Sequence, residues 1–411
     1  MTNLELKTEK IKNLKEVFES DTITKIALLK NQYEISLILI NEILEDEVRR
    51  YSGERYQREK PDKGRYSRWG KNPGSVWVGE EKVKIDVPRI YDNETGRNKS
   101  LDNYETLKDI EPDEHRLMKA ILCGLSTTDY KGVVEQFVEG RGLSRSKVSQ
   151  RFIEESTKRL EHFINRNLSN NNYVAVFIDG KYFYKEQIVI AVGITDDGRK
   201  VALGFIQTTT ENATSIKQLL SNLIERGLKY EDGLLFVIDG SKGLHKAVEE
   251  TFGNHSVIQR CQWHKRENVL SYLKEKDQEI YKKRLNKAYN EETYESALKE
   301  LMSIYNELVR INVNAANSLK EGLEETLTLH RLGISEEFKK SFSTTNIIEN
   351  VNSQIAKYTR KVKFWKTSDQ RQRWIAAGLL EAEPKMHRVV NYQNLHLLQE
   401  KIKLDVQRKL K

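Results

Sequence analysis

The sequence predicts an α/β domain interrupted by an all-α insertion, preceded by a mainly helical N-terminal region. Three observations carry that reading. Residues 173–260 alternate short apolar runs with amphipathic helical stretches. Residues 263–342 are charge-rich with helical periodicity and contain no strand candidate. A further helix then opens at the segment Ser-Thr-Thr-Asn, residues 343–346, with Ser343 or Thr344 near its cap.

In chain order, residues 22–50 read as a helix, because Ile26, Leu29, Tyr33, Leu37, Ile40 and Leu44 recur at spacings of three and four. The run 35–40 is apolar on several faces, which implies deep packing or a dimer contact. Residues 55–71 carry 7 basic and 2 acidic side chains with Tyr56, Tyr66 and Trp69 interleaved. Such a mixture suits phosphate contacts and stacking, with Arg65 and Arg68 as candidates. A solvated loop has the same composition. Val76 and Val78, then Val83, Ile85 and Val87, alternate around a turn at 79–82, the pattern of a hairpin. Residues 112–166 are helical again. Ser126 and Ser144 stand as N-caps around a glycine turn at 140–142, an arrangement like a helix-turn-helix. Its second helix would present Arg145, Lys147 and Gln150 to DNA; an ordinary helical hairpin fits the same pattern.

The strand-rich part contains YVAVFIDG, then two strands joined at Asp197-Gly198, a helix, LLFVIDG, a second helix and HSVIQRCQ. The order β-β-β-α-β-α-β is that of the ribonuclease H-like fold. The expected organisation is therefore 1–105 (helix, basic segment, hairpin), 106–168 (helix-turn-helix-like), 169–264 (first part of the α/β core), 265–342 (helical insertion) and 343–411 (last part of the core with a basic C-terminal tail).

Composition narrows the partners. The chain has 411 residues, a net charge of +8 and an excess of 14 Lys/Arg over 5 Asp/Glu within 353–411, which favours an anionic partner, nucleic acid above all. No run of about 18 apolar residues is present and the first ten residues lack an apolar signal core, so a cytoplasmic, nucleoid-associated protein without a membrane span is expected. Two cysteines, Cys123 and Cys261, are too few for a disulfide framework or a four-cysteine zinc site.

Two apolar strands each end in Ile-Asp-Gly, at Asp179 and Asp239. Functional groups gather at the carboxyl ends of strands in open α/β sheets. If the strands are neighbours, the two carboxylates repel unless a cation lies between them, and an all-oxygen site suits Mg²⁺ or Mn²⁺. Glu349 lies on the later helix. Asn346, Ser353, Ala356 and Arg360 share its face, while Ile347, Ile348, Val351 and Ile355 mark the buried side.

Taken together, Asp-Gly, Asp-Gly and TTNxIExxN, at intervals of 60 and 110 residues, resemble the Mutator-type bacterial insertion-sequence transposases, the insertion sequence 256 group. QRCQWHKRENVL resembles that family's Cys-x-x-His element, and VIDGSKGLHKAV its Asp-Gly-x-x-Gly stretch. The resemblance spans essentially the whole chain. It implies Asp179, Asp239 and Glu349 as a DDE triad holding two Mg²⁺ or Mn²⁺ ions, with metal-dependent strand cleavage and strand transfer at terminal inverted repeats. It also implies that Cys261 and His264 lie near the active site. Trp263 would stack on a base or belong to the core, and Arg360 and Lys361 would clamp phosphates beside Asn346. Two DNA ends must meet, so a homodimer or larger assembly is expected. Another ribonuclease H-like nuclease and a non-catalytic transposase-derived DNA-binding protein stay open as alternatives.

Overall fold

The structure, a computed structural model, describes residues 32–78, 81–109, 121–122, 145–183, 186–208, 212–360, 362, 365 and 367–411. By internal contacts the chain divides into two units, Met1–Glu155 and Ser156–Lys411. Among the described residues no helix is long and apolar enough to cross a membrane.

In the first unit, helix α1 (Gln32–Ser52) precedes an antiparallel sheet of β1 (Tyr66–Val78), β2 (Glu81–Asp92) and β3 (Arg97–Lys99), in that order. The expected alternation is present: Val83, Ile85 and Val87 are buried, whereas Lys82, Lys84 and Asp86 are exposed. Ile85 and Val87, with Val76 and Ile90, meet Ile40, Leu44 and Val48, one stripe of α1. The run 35–40 is not enclosed on every side, since Leu39 is exposed, as is Ile43 one turn on. Part of the expected first helix (22–31) and residues 79–80 of the hairpin turn lie outside the described residues.

The hairpin is longer than its apolar pattern shows. β1 begins at Tyr66, so the second half of the basic segment is a paired strand. Two carboxylates make this tenable. Arg65 donates to both oxygens of Asp92 at 3.3 and 3.0 Å, and Arg68 pairs with Glu45 at 2.7 Å. The register shifts between Arg68 and Lys71, next to Pro88, which has no N–H to give the ladder. Buried Glu47 then accepts the backbone N–H groups of Asp102 and Asn103, capping α2 (Asp102–Asp109). The helix-turn-helix reading rests largely on residues 123–144, outside the described residues. Its last helix appears as α3 (Arg145–Ile164).

The second unit is built on five strands: β4 (Tyr173–Phe183), β5 (Glu186–Thr195), β6 (Lys200–Thr208), β7 (Leu234–Ile238) and β8 (Ser256–Arg260). Their spatial order is β6-β5-β4-β7-β8, with β4, β7 and β8 parallel and β5 and β6 antiparallel. Helices α4 (Ala213–Glu225) and α5 (Lys242–Phe252) cover one face, where Ile178, Phe236 and Ile238 meet Leu220, Leu223, Leu244 and Val248.

Helices follow: α6 (Gln262–Ser271), α7 (Glu275–Tyr289), α8 (Tyr294–Ile311), α9 (Val313–Lys320), α10 (Leu323–Thr326), α11 (Thr328–Arg331), α12 (Ser335–Phe342), α13 (Asn346–Thr359), α14 (Ser368–Ala382) and α15 (Leu395–Leu410). From Val269 to Leu327 they enclose a hydrophobic core of their own. From Leu329 onward the apolar side chains return to the other face of the sheet, against Phe177 and Val237. The separate insertion core therefore closes before residue 342. The C-terminal stretch is not a tail. Leu395, Leu398, Ile402 and Val406, spaced by three and four, bury one side of α15 in that core, and Asp405 pairs with Arg331. The basic residues that dominate its composition lie on the remaining faces.

Candidate active site

Parallel pairing of β4 with β7 sets Ile178 opposite Ile238, so the next residues, Asp179 and Asp239, stand side by side. Strand alternation decides where they point. Ile178 and Ile238 belong to the α4/α5 face, and Phe177 and Val237 to the opposite face. Asp179 and Asp239 thus return to the face on which Ile348, Val351 and Ile355 of α13 are buried. β4 does not stop at the Asp-Gly step: its pairing with β7 ends at Ile178, but its pairing with β5 continues to Phe183.

Both carboxyls resist ionisation. Burial foremost, then the charge of Asp239, pushes Asp179 up to about 7, against the opposing influence of His264, the Gly180 N–H (2.9 Å to Oδ1) and the Thr345 hydroxyl. Burial also raises Asp239, opposed by the Ser241 N–H at 2.8 Å, His264 and Arg260. A hard divalent cation would relieve both the desolvation and the repulsion, and oxygen donors are the set it prefers. The two carboxylates are donors of the kind such an ion takes.

The Cys-x-x-His element is a knot between three segments. Cys261 is 1% exposed and occupies the N-cap of α6, where its sulfur accepts the His264 N–H at 3.5 Å. The Cys261 N–H donates to Ile238 O at 2.8 Å, beside Asp239, and the Gln262 N–H donates to Ser343 O at 2.9 Å. The sulfur also accepts the Thr345 N–H at 3.4 Å, and the Thr345 hydroxyl lies 3.3 Å from His264 Nδ1. Burial draws the His264 pKa down, but the bond and charge of Cys261 and the charges of Asp179 and Asp239 outweigh it and push it up to about 9. Trp263 is 39% exposed, with its ring edge-on to His264 at 4.8 Å, so it is not a core residue.

Two buried cations hold the insertion, and one of them also holds the aspartate turn. Arg260 donates to Gly240 O at 2.7 Å and to Glu321 O at 2.8 Å. Lys265 donates to Ser318 O and Glu321 O at 2.6 and 2.5 Å, among the carbonyls at the end of α9. Sequence reasoning missed Arg260, Lys265 and Thr345. Arg260 read only as a strand residue, Lys265 as part of a charged helix, and Thr345 as a neighbour of the cap.

Glu349 lies in the first turn of α13, exposed, with Asn346 exposed beside it and Arg360 exposed at the C-cap. The polar and apolar faces expected of this helix are those observed. Glu349 is not drawn in against the aspartates: among the described residues, no three His, Cys, Asp or Glu side chains come close enough to hold a metal ion. Lys361 lies outside the described residues, as do the side chains of Arg145 and Lys147.

The sequence profile described as "Transposase, Mutator family" matches residues 2–387. Over 396 residues the chain is 25% identical to the transposase for insertion sequence element IS256 in transposon Tn4001 from Staphylococcus aureus, covering 92% of this chain and 94% of that protein. It is 26% identical over 269 residues to the transposase for insertion sequence element IS905 from Lactococcus lactis subsp. lactis (strain IL1403), covering 64% of this chain and 66% of that protein. A transposase for insertion sequence element IS6120 from Mycolicibacterium smegmatis is 31% identical over 183 residues, 43% of this chain and 55% of that protein. The chain belongs to the Mutator family of transposases.

Proposed function

We propose that this chain is a DNA transposase that cleaves and joins DNA strands by metal-assisted phosphoryl transfer, with Asp179, Asp239 and Glu349 as its DDE triad on a ribonuclease H-like sheet. The strand order β6-β5-β4-β7-β8, with its parallel and antiparallel pairing, supports the fold reading. The observation that carries the chemical reading is the aspartate pair, a buried and a half-buried carboxyl side by side on the sheet face that α13 covers.

Asp179 and Asp239, with Glu349 as the third acid, would hold Mg²⁺ or Mn²⁺, two ions in all. Such ions, when bound, activate a water or a DNA 3′-hydroxyl and stabilise the leaving 3′-oxygen. The rest falls to the chain's own residues. The positive charge of His264 beside the pair suits a DNA phosphate, and the exposed Trp263 next to it offers a face for a base. Asn346, Arg360 and Lys361 would position the backbone from α13 and the segment after it. In the first unit, Arg65 and Arg68 are held by carboxylates, so phosphate contact passes to the exposed Arg55, Arg58, Lys60, Lys63 and Lys71 of the same segment. With Arg145 and Lys147 these would grip the terminal inverted repeats. Bringing two ends together calls for a homodimer or larger complex.

The test is strand cleavage and strand transfer by the full-length protein on cognate end DNA with Mg²⁺ or Mn²⁺. Asp179→Asn, Asp239→Asn and Glu349→Gln should each abolish both steps and keep end binding in a gel-shift assay. Full cleavage by the Glu349→Gln protein would remove the third acid from the reading. Cleavage surviving in all three variants would place the chemistry elsewhere, and wild-type protein that binds end DNA but cuts none would leave a DNA-binding role only.

A further inference from the structure

The hairpin of the first unit carries an aromatic ring that its own packing does not use up. Arg68 turns to Glu45 of α1, so Trp69 beside it turns to the opposite face of the sheet. There its ring stacks on that of Tyr91, with centroids 4.9 Å apart and planes 25° from parallel. Tyr91 pairs across the ladder with Ser67, so the two rings meet on the diagonal. Tyr91 backs one face of the indole, and Trp69 is still 53% exposed. Tyr66 and Trp77, the other aromatic residues of β1, are half-buried, and each has a cation at its ring, Arg65 at 5.2 Å and Lys82 at 5.8 Å.

The backbone aims this ring. The register shifts between Arg68 and Lys71, so Trp69 and Gly70 together stand opposite Arg89. Gly70 has φ +80°, the left-handed residue of a bulge, a device that re-aims side chains. A Cβ on Gly70 would lie 3.7 Å from Arg89 Nη2, which puts the guanidinium at the bulge. Arg65 and Arg68 are taken up by Asp92 and Glu45, but Arg89 has no carboxylate partner among the described residues, and its Nε is buried without a hydrogen bond.

An exposed ring backed by a second ring, with an unneutralised guanidinium beside it, matches the two halves of a nucleotide. The ring offers a face to the base, and the guanidinium offers charge and donors to the phosphate. Inside a duplex both faces of a base are covered by its neighbours, so the base that fits is an unpaired or terminal one. We propose that Trp69, backed by Tyr91, is a stacking platform for an unpaired DNA base, and that Arg89 holds the adjoining phosphate. The proposal rests on the DNA-cleaving reading given above, in which cutting and joining free bases at element ends. It divides the work of the first unit: the cations of residues 55–63 contact duplex backbone, and the bulge at Trp69 receives single-stranded DNA.

The full-length protein is titrated, without divalent ions, with an oligothymidylate of about 15 nucleotides and with a blunt duplex of the element end. Trp69→Ala should weaken binding of the single strand by about fivefold or more, the loss of one stacked base, and leave duplex binding unchanged. Trp69→Phe keeps a ring and should stay close to wild type. Arg89→Gln should lower single-strand affinity and reduce the slope of log affinity against log salt by about 0.7, the share of one phosphate. An unchanged slope removes Arg89 from the site. Equal losses on the two DNAs in Trp69→Ala, or no loss on either, overturn the proposal. Unchanged DNA binding with a smaller sedimenting mass overturns it too, and makes the face a contact between copies. If Trp69→Ala does not fold, Trp69→Phe against Trp69→Leu decides: single-strand binding kept by phenylalanine and lost by leucine supports the platform, and equality overturns it. Strand transfer by the wild type separates the two readings. A protein that cuts no end DNA but binds the single strand through Trp69 overturns the transposase chemistry and supports this platform. One that cuts and joins, with single-strand binding intact in Trp69→Ala, overturns this proposal alone.

Discussion

A carboxyl group held near pH 7 is a liability to the fold that carries it. Asp179 ionises near 3.9 in an unfolded chain but at about 7 in place, burial being the main cause and Asp239 the next. Between those values the folded chain keeps a proton that the unfolded chain has released, so stability falls as the pH rises through this window, and the full penalty applies above about 7. In metal-free protein, Asp179→Asn should therefore melt higher than wild type at pH 8 and close to wild type near pH 4, by scanning calorimetry. Mg²⁺ should raise the melting temperature of wild type at pH 8 and have little effect on the asparagine variant. Equal melting temperatures at pH 8 would show that the carboxyl is not under this strain. The aspartates were legible in the sequence because each is an acid closing an apolar strand, a pattern that local side-chain chemistry alone defines. Thr345 was not legible in the same way. A threonine before a helix looks like a cap whether or not it caps, and what turns its hydroxyl inward is Cys261, 84 residues away.

At the scale of elements, one guanidinium links the insertion to the aspartate turn. Arg260 fits because glycines flank it. A Cβ on Gly240 would lie 3.2 Å from Nη2, and one on Gly322 would lie 2.0 Å from Nη1. Gly322 also has φ +61°, in the left-handed region. Gly322→Ala should therefore cost more than the ~1–2 kcal/mol of a left-handed alanine alone. Gly333→Ala supplies the comparison, since Gly333 has φ +69° and no atom within 4 Å of a built Cβ. Urea unfolding of the two variants should show the larger loss at Gly322; equal losses would mean that Arg260 moves aside at no cost. The helices of the insertion and the two faces of α13 could be read from periodicity, which survives wherever one side of an element is buried. The start of β1 and the docking of α15 could not. In both, basic side chains crowd the sequence, and what places them is a partner distant in the chain, Asp92 for Arg65 and the sheet core for Leu398 and Ile402.

Across the whole molecule, the succession of strands and helices in 173–260 was legible because a sheet covered on both faces needs apolar strands between amphipathic helices. The extent of the insertion was less so: α11 and α12 continue its helical periodicity but pack on the sheet, and only three-dimensional contact tells them apart. Because the insertion has a core of its own, Leu308→Ala should cost ~2–5 kcal/mol there. Native-state hydrogen exchange should quicken in residues 269–327 while β4 and β7 keep their protection. Uniform quickening would show that the two cores unfold as one. The separation of Asp239 from Glu349 by 110 residues also has a consequence during synthesis. At ~5–20 residues per second, the ribosome delivers the second aspartate roughly 5–20 s before the third acid. Throughout that interval, and in any fragment cut short before Glu349, the chain has both aspartates but not the glutamate. On the proposed reading, such fragments would occupy element ends without cutting them. Incomplete translation would then yield competitors of the full-length protein rather than stray nucleases.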